Sequence, residues 1–470
     1  MLYFFVRAGN AIYAIATLAI FTRLLSPQEY GVFALGMAIA TMASAVLYQW
    51  LNVAVGRFYQ MYRDNPGIVM AAAARGFWVA TTVGAIFFLG ALQFHNMIGV
   101  EPILLGILFL ITVAQGQYGL FLQVANAQRS PLLYGSLSWV KSGVALLIGL
   151  ALISYGLGER GALIGFLVGL VFALVIFKPM CGLAVASAEV DKHLSAEMFR
   201  YGLPLTLTFL AFVVVDLADR FIIGWLLGAS AVGPYAAVYD LVQQLIGAIM
   251  SVLFLAAFPL VVHALEAEGD EPARVRLRAL GRGLVCIGLP AAVGLGILSS
   301  DIAEVIFGVG YRLDAVSIMP WLAAAIFVGA FKSYFLDVVF QLRHATKYQG
   351  YIATIMATVN VLLNILLLPT YGVIAAAWAT FAAFSVGALA SWHVGKGVFS
   401  LPSLGNDLLG SAISSTVMAI TIYSLPPLYG IIWLFVKISL GIIIYLAMAW
   451  LLNVASCRSL FHAVIRWNIK

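Results

Sequence analysis

Apolar runs of about twenty residues recur along the whole chain, each broken by a short polar or Gly/Pro-containing turn. A helix of that length crosses a hydrocarbon core of about 30 Å. The pattern predicts fourteen spans, at roughly 3–22, 31–55, 72–94, 102–127, 132–154, 161–178, 203–227, 232–262, 279–299, 315–341, 349–368, 373–394, 408–425 and 429–453. The stretch 57–70, RFYQMYRDNPGIVM, is predicted as a cytoplasmic connector. No segment between runs is long enough for a separate soluble domain. The expected fold class is an all-α polytopic membrane protein with fourteen transmembrane helices and both termini cytoplasmic.

Charge placement tests that count. Of the 25 Lys and Arg, eighteen fall in segments that the fourteen-span topology puts inside, three (Arg23, Arg160 and Arg312) fall outside, and four (Lys141, Arg220, Lys332 and Lys437) lie within spans. Basic residues accumulate on the cytoplasmic side of membrane proteins, so the imbalance fixes the expected orientation. Outer loops are short. The longest non-membrane stretches are expected inside, at 179–200 and 263–278. The first is polar, with Glu189, Asp191, Lys192 and Glu197, and reads as a linker between halves.

The halves repeat weakly. Leu24, Leu25, Ser26, Gly31, Phe33 and Ala34 match Leu226, Leu227, Gly228, Gly233, Tyr235 and Ala236 at an offset of 202. Phe121, Leu122, Val124, Arg129 and Tyr134 match Phe335, Leu336, Val338, Arg343 and Tyr348 at 214. Both matches map helix n onto helix n+6. Six is even, so the repeats share orientation, as in transporters whose halves rock about a central site. The expected division is an N-terminal six-helix lobe at 1–178, a cytoplasmic linker at 179–202 and a C-terminal six-helix lobe at 203–396. Residues 397–470 hold helices thirteen and fourteen and a cytoplasmic tail.

Composition agrees with a chain that is nearly all membrane: 63% hydrophobic, 9% charged, mean hydropathy +1.05. A soluble domain carries about 25% charged residues. The net charge of +6 therefore reads as topology rather than nucleic-acid binding. Cys181, Cys286 and Cys457 lie far apart, and the six histidines are scattered, so neither a disulfide framework nor a metal site is expected. The N-terminus lacks the basic start and small-residue cleavage site of a signal peptide, and the first helix is expected to be retained. No Gly-x-x-x-x-Gly-Lys-Ser/Thr loop is present, so ATP is not the expected driver.

The densest buried charge is the stretch 216–240. Asp216, Asp219 and Arg220 stand at i, i+3 and i+4 and share a helical face; Asp240 follows in the next helix. Charges within a membrane helix face a bundle interior or a watery cavity, because each costs about 2.5–3.5 kcal/mol at the bilayer centre on insertion scales.

The turn Arg23-Leu-Leu-Ser-Pro-Gln-Glu-Tyr-Gly31 resembles the signature of the polysaccharide-transport branch of the multidrug/oligosaccharidyl-lipid/polysaccharide (MOP) exporter superfamily, the O-antigen flippase family. So do Asp219-Arg220-Phe-Ile-Ile-Gly224 with Gly228, Gly233 and Tyr235, and the Tyr371-Gly372 turn before Ala375-Ala376-Ala377. The resemblance covers the full length. It implies a non-enzymatic flippase that moves an undecaprenyl-diphosphate-linked sugar unit across the bacterial inner membrane for surface polysaccharide synthesis. Two six-helix lobes would form a V around a polar cavity, and the last two helices would guide the lipid tail. A polysaccharide polymerase and glycosyltransferases are the implied partners besides membrane lipids. No cofactor is implied; H+ or Na+ is the candidate coupling ion.

In that frame Arg220, Arg23, Arg57, Lys141 and Lys332 are the candidate substrate-binding cations. Asp216, Asp219, Asp240 and Asp337 are candidates for coupling or charge pairing. Each has a plainer alternative. Arg220 pairs with Asp216 at i, i+4; Arg23 and Arg57 snorkel to headgroups; Lys332 and Asp337 form a local charge pair. Lys437, mid-span in helix fourteen, is expected to snorkel or meet lipid headgroups rather than bind substrate. Three rival functions differ in testable features. A drug/cation antiporter of the same superfamily has twelve helices and an acidic cavity. A glycan polymerase or ligase carries a large outer loop with catalytic Arg or His. A non-transporting partner of a polysaccharide assembly complex would leave the deep charges without a purpose.

Overall fold

The computed structural model describes residues 2–95, 100–181, 191–426, 430–456 and 458. Residues 182–190 of the expected linker, Cys457, and the tail from 459 with Arg466 and Lys470 lie outside the described residues. Among the described residues every regular element is helical, and ten helical stretches are long and apolar enough to cross a membrane.

The first group of helices is α1 (Leu2–Leu24), α2 (Pro27–Met61), α3 (Pro66–Gln93), α4 (Pro102–Ala127), α5 (Pro131–Leu152), α6 (Gly158–Phe177) and α7 (Lys192–Leu227). Four in succession start on proline. The ring presets φ for a helix, and its missing N–H falls where no intrahelical acceptor exists. Ser26 closes the entry to α2 with a capping box: its hydroxyl accepts from the Glu29 amide, while the Glu29 carboxylate accepts from the Ser26 amide. The second group follows as α8 (Ala229–Val242), α9 (Ala248–Ala267), α10 (Asp270–Ile297), α11 (Ser299–Ile306), α12 (Arg312–Phe331), α13 (Val338–Leu342), α14 (Lys347–Tyr371), α15 (Ile374–Val398), α16 (Gly405–Tyr423) and α17 (Ile431–Leu451).

Several expected connectors are helix instead. α2 runs on to Met61 and α3 begins at Pro66, which leaves only Tyr62–Asn65 of the expected connector at 57–70 outside helix. Likewise α9 and α10 absorb most of 263–278, and α7 opens at Lys192 inside the expected linker. Polar helix ends that emerge from hydrocarbon keep their backbone hydrogen bonds, so hydropathy underestimates helix length.

By compactness the chain divides into two units, 1–233 and 234–470. The helix α7 therefore groups with the first unit, although the repeat counts 203–227 as the opening helix of the second lobe. The reason is close backbone packing: a Cβ on Gly202 would stand 2.1 Å from the Trp50 carbonyl oxygen in α2. Small residues bring α5 and α6 together in the same way, with a Cβ on Gly165 only 2.4 Å from Gly149 Cα.

The α-helical ladder is widened to π geometry at Ile153–Leu157, Gln243–Gly247 and Lys332–Leu336. The turns that follow α4 and α13 shift the register of the repeat by one residue. The turn after α4 is closed by Ser130 N donating to Ala125 O (3.0 Å), and the turn after α13 by Ala345 N donating to Phe340 O (2.7 Å). Arg129 and His344 take the left-handed conformation at φ 51° and 53°. These equivalents lie 215 apart, one more than the sequence match that pairs Arg129 with Arg343.

In the second unit Lys437 does not snorkel. Its ammonium donates to Asp301 Oδ1 at 2.6 Å, and both groups are buried. Arg282 likewise donates to the buried Asp407 carboxylate at 2.9 Å. Two ion pairs thus fasten α16 and α17 to α10 and α11. Removing one partner of a buried pair leaves an uncompensated charge, which costs about 3–5 kcal/mol. Lys437→Met is expected to lower the thermal unfolding midpoint in detergent, and Lys437→Met with Asp301→Leu to restore most of it. Equal midpoints for all three proteins would show that the pair contributes nothing.

Candidate functional site

In the first unit, α7 carries Asp216, Asp219 and Arg220 at i, i+3 and i+4. Asp219 and Arg220 are buried, and Asp216 lies on the exposed side within electrostatic reach of both. Arg57 is exposed near the end of α2, with its guanidinium 4.3 Å from the centre of the Tyr201 ring. Lys141 in α5 is half-buried, 5.4 Å from the ring centres of both Tyr118 and Phe166. Arg23 is exposed at the end of α1. The cations at 57 and 141 rest against aromatic faces, which hold a charge by ring quadrupole and leave its hydrogen-bond donors available.

In the second unit, Lys332 and Asp337 form a deeply buried charged cluster. Lys332 Nζ donates to Asp337 Oδ2 at 2.6 Å, and both are almost fully buried. Ser391 Oγ donates to the other carboxylate oxygen at 2.6 Å, and the Gln349 amide donates to the Asp337 carbonyl at 3.0 Å. On a regular helix, residues five apart do not face one another. The π turn over Lys332–Leu336, closed by Asp337 N donating to Lys332 O (2.8 Å), brings them onto one side. Asp240 is half-buried in α8.

The charge-pair alternative for Lys332 is thus realised in this conformation. Ser391 and Gln349 escaped sequence reading, because they lie 54 and 12 residues from Asp337 and carry no motif. Tyr201, Tyr118 and Phe166 escaped for the same reason. Among the described residues no group of three His, Cys, Asp or Glu is placed to hold a metal.

The two repeated turns meet directly. A Cβ on Gly31 would stand 1.8 Å from the Ala229 carbonyl oxygen, and a Cβ on Gly233 2.1 Å from that of Pro27. Pro27 and Ala229, like Gly31 and Gly233, are 202 apart, so each copy of the turn presents its glycine to the same carbonyl of the other copy. Gly228, the counterpart of the capping Ser26, takes φ 86°, which a side chain would strain.

Residues 20–313 match the model of a family described as polysaccharide biosynthesis protein. A probable flippase, AglR of Haloferax volcanii, is 27% identical over 216 residues, which cover 44% of this chain and 43% of that protein; the match thus spans less than half the length of that relative. Among solved structures, a lipid II flippase, MurJ, in an inward closed conformation superposes with a TM-score of 0.75 at 16% identity, covering 98% of this chain and 99% of that one. A multidrug resistance MATE family transporter of the MOP superfamily, in its inward-facing conformation, gives 0.61 at 15% identity, covering 83% and 94%. The chain has the helical membrane fold of these exporters.

Proposed function

Since the chain belongs to the polysaccharide biosynthesis protein family, we propose that it is a flippase of the MOP exporter superfamily for a polyprenyl-diphosphate-linked oligosaccharide, most simply an undecaprenyl-linked unit of a surface polysaccharide. The observation that carries this reading is the reciprocal contact of Gly31 and Gly233. The two copies of the turn pack backbone to backbone within the first unit, a close approach whose loosening would accompany a change between states. Cations within the spans serve the diphosphate, and hydroxyl and amide groups serve the sugar. The fold match to the lipid II flippase extends over 98% of this chain, whereas the match to the MATE transporter stops at 83%, which favours the flippase over the drug/cation antiporter.

Fourteen crossings with both termini inside, in lobes at 1–178 and 203–396, complete the proposal. Side chains that meet across loops support the alternation. Arg160 pairs with Glu101, both assigned outside, and Arg343 with Asp270, both assigned inside. The bacterial inner membrane is the proposed location. Coupling runs through H+ or Na+, with Asp216, Asp219 and Asp240 as the candidate carriers. The chemistry is transport rather than bond making, and a polymerase and glycosyltransferases are the proposed partners.

The test is a vesicle assay with a fluorescent polyprenyl-diphosphate oligosaccharide. Arg220→Ala is expected to slow its appearance in the outer leaflet at least about tenfold, the worth of one charge-assisted contact. An unchanged rate would make Arg220 a structural partner of Asp216. No movement of any lipid-linked glycan by the unmutated protein, with movement of a cationic drug, would reverse the assignment toward the antiporter.

A further inference from the structure

A cavity of about 350 Å³ opens in the first unit where α2, α3 and the start of α7 meet. Its walls include Trp50, Leu51, Val79 and Phe199, and two basic residues, Arg75 and Lys192, stand at it. None of the cations assigned to substrate lines it. Both basic side chains are exposed, and among the described residues neither makes an ion pair. The topology expected from basic residues puts both on the inner side. Trp50 donates to the Leu47 carbonyl at 2.9 Å and packs edge-on against Phe199, which keeps the wall rigid.

The face of α3 identifies the occupant. Trp78, Val79, Val83, Ile86 and Phe87 are exposed large apolar residues at helical spacing, so this side of α3 faces hydrocarbon. Arg75 stands one turn inward from Val79 on the same side, at i and i+4. The cavity therefore lies where a hydrocarbon-facing stripe ends in unpaired positive charge. Water-soluble phosphate would not need the apolar stripe, and a neutral lipid would not need the cations. A basic pocket between membrane helices on the cytoplasmic side is the setting in which anionic head groups are held.

We propose that this cavity binds an anionic phospholipid of the inner leaflet, with its phosphate at Arg75 and Lys192 and an acyl chain along Val79. The lipid would brace the start of α7, the helix that carries Asp216, Asp219 and Arg220 further along.

Native mass spectrometry of the detergent-purified full chain tests this with phosphatidylglycerol against phosphatidylcholine. The wild type is expected to prefer phosphatidylglycerol. Arg75→Gln with Lys192→Gln should cut that preference about thirtyfold, each basic residue near a membrane surface contributing about fivefold. Ala196→Trp, which fills the exposed mouth and keeps both cations, should lower phosphatidylglycerol binding at least about tenfold even if the double variant folds poorly. A wild-type preference in both variants would overturn the proposal. Displacement of phosphatidylglycerol by millimolar inorganic phosphate would reassign the cavity to a free anion. Displacement by polyprenyl diphosphate at lower concentration would reassign it to the transported lipid.

Discussion

Gly31→Ala is expected to reduce flipping below about a tenth of the wild-type rate while the protein remains folded. The added methyl group would sit 1.8 Å from a backbone carbonyl oxygen, and backbone cannot swing aside as a flexible side chain does. Overpacking of this kind costs about 1–3 kcal/mol, and 1.4 kcal/mol is already tenfold in the population of the state that needs the contact. Gly233→Ala should act alike, since its methyl group would meet the equivalent carbonyl at 2.1 Å. The two together should be little worse than either, because both open the same contact. Gly106→Ala and Gly350→Ala are the controls: a Cβ at either position meets nothing within 4 Å, and transport should stay within about twofold. The vesicle assay with a fluorescent lipid-linked oligosaccharide decides the matter. Full transport by Gly31→Ala would remove the close approach of the two turns from the mechanism.

The second large effect concerns Lys332 and Asp337. Asp337→Leu leaves a buried ammonium without its counter-charge and also strips Ser391 of its acceptor. A loss of about 3–5 kcal/mol is expected, read as a lowered unfolding midpoint and a poor yield of monodisperse protein. Lys332→Met alone should cost a similar amount. The pair Lys332→Met with Asp337→Leu should regain most of the stability. Transport separates stability from function. If the stable double variant still flips lipid at the wild-type rate, the pair is structural only. If it is stable but inactive, the charges take part in binding or coupling, as the cavity reading of Lys332 and Asp337 requires.

The membrane class was legible because the bilayer imposes a solvent on every residue of a span, so length and hydropathy report it without any long-range contact. The shared face of Asp216, Asp219 and Arg220 was legible because helical periodicity is local. The pairing of Lys332 with Asp337 was half legible: the proximity in sequence suggested it, but a spacing of five needs the π turn, and no residue type announces one. Lys437 was misread, since its partner Asp301 is 136 residues away. A lone charge in a span looks alike whether it snorkels or is paired.

From the sequence alone came the helical membrane architecture, the sidedness expected from basic residues and the two copies of the outer turn, all of which depend on local composition and period. Only the tertiary structure decided that Gly31 and Gly233 lie against each other's turns, that Arg57 and Lys141 rest on aromatic rings, and that Lys437 holds Asp301. Those contacts join residues distant in the chain, and their partners are selected by helix packing, which no local pattern encodes.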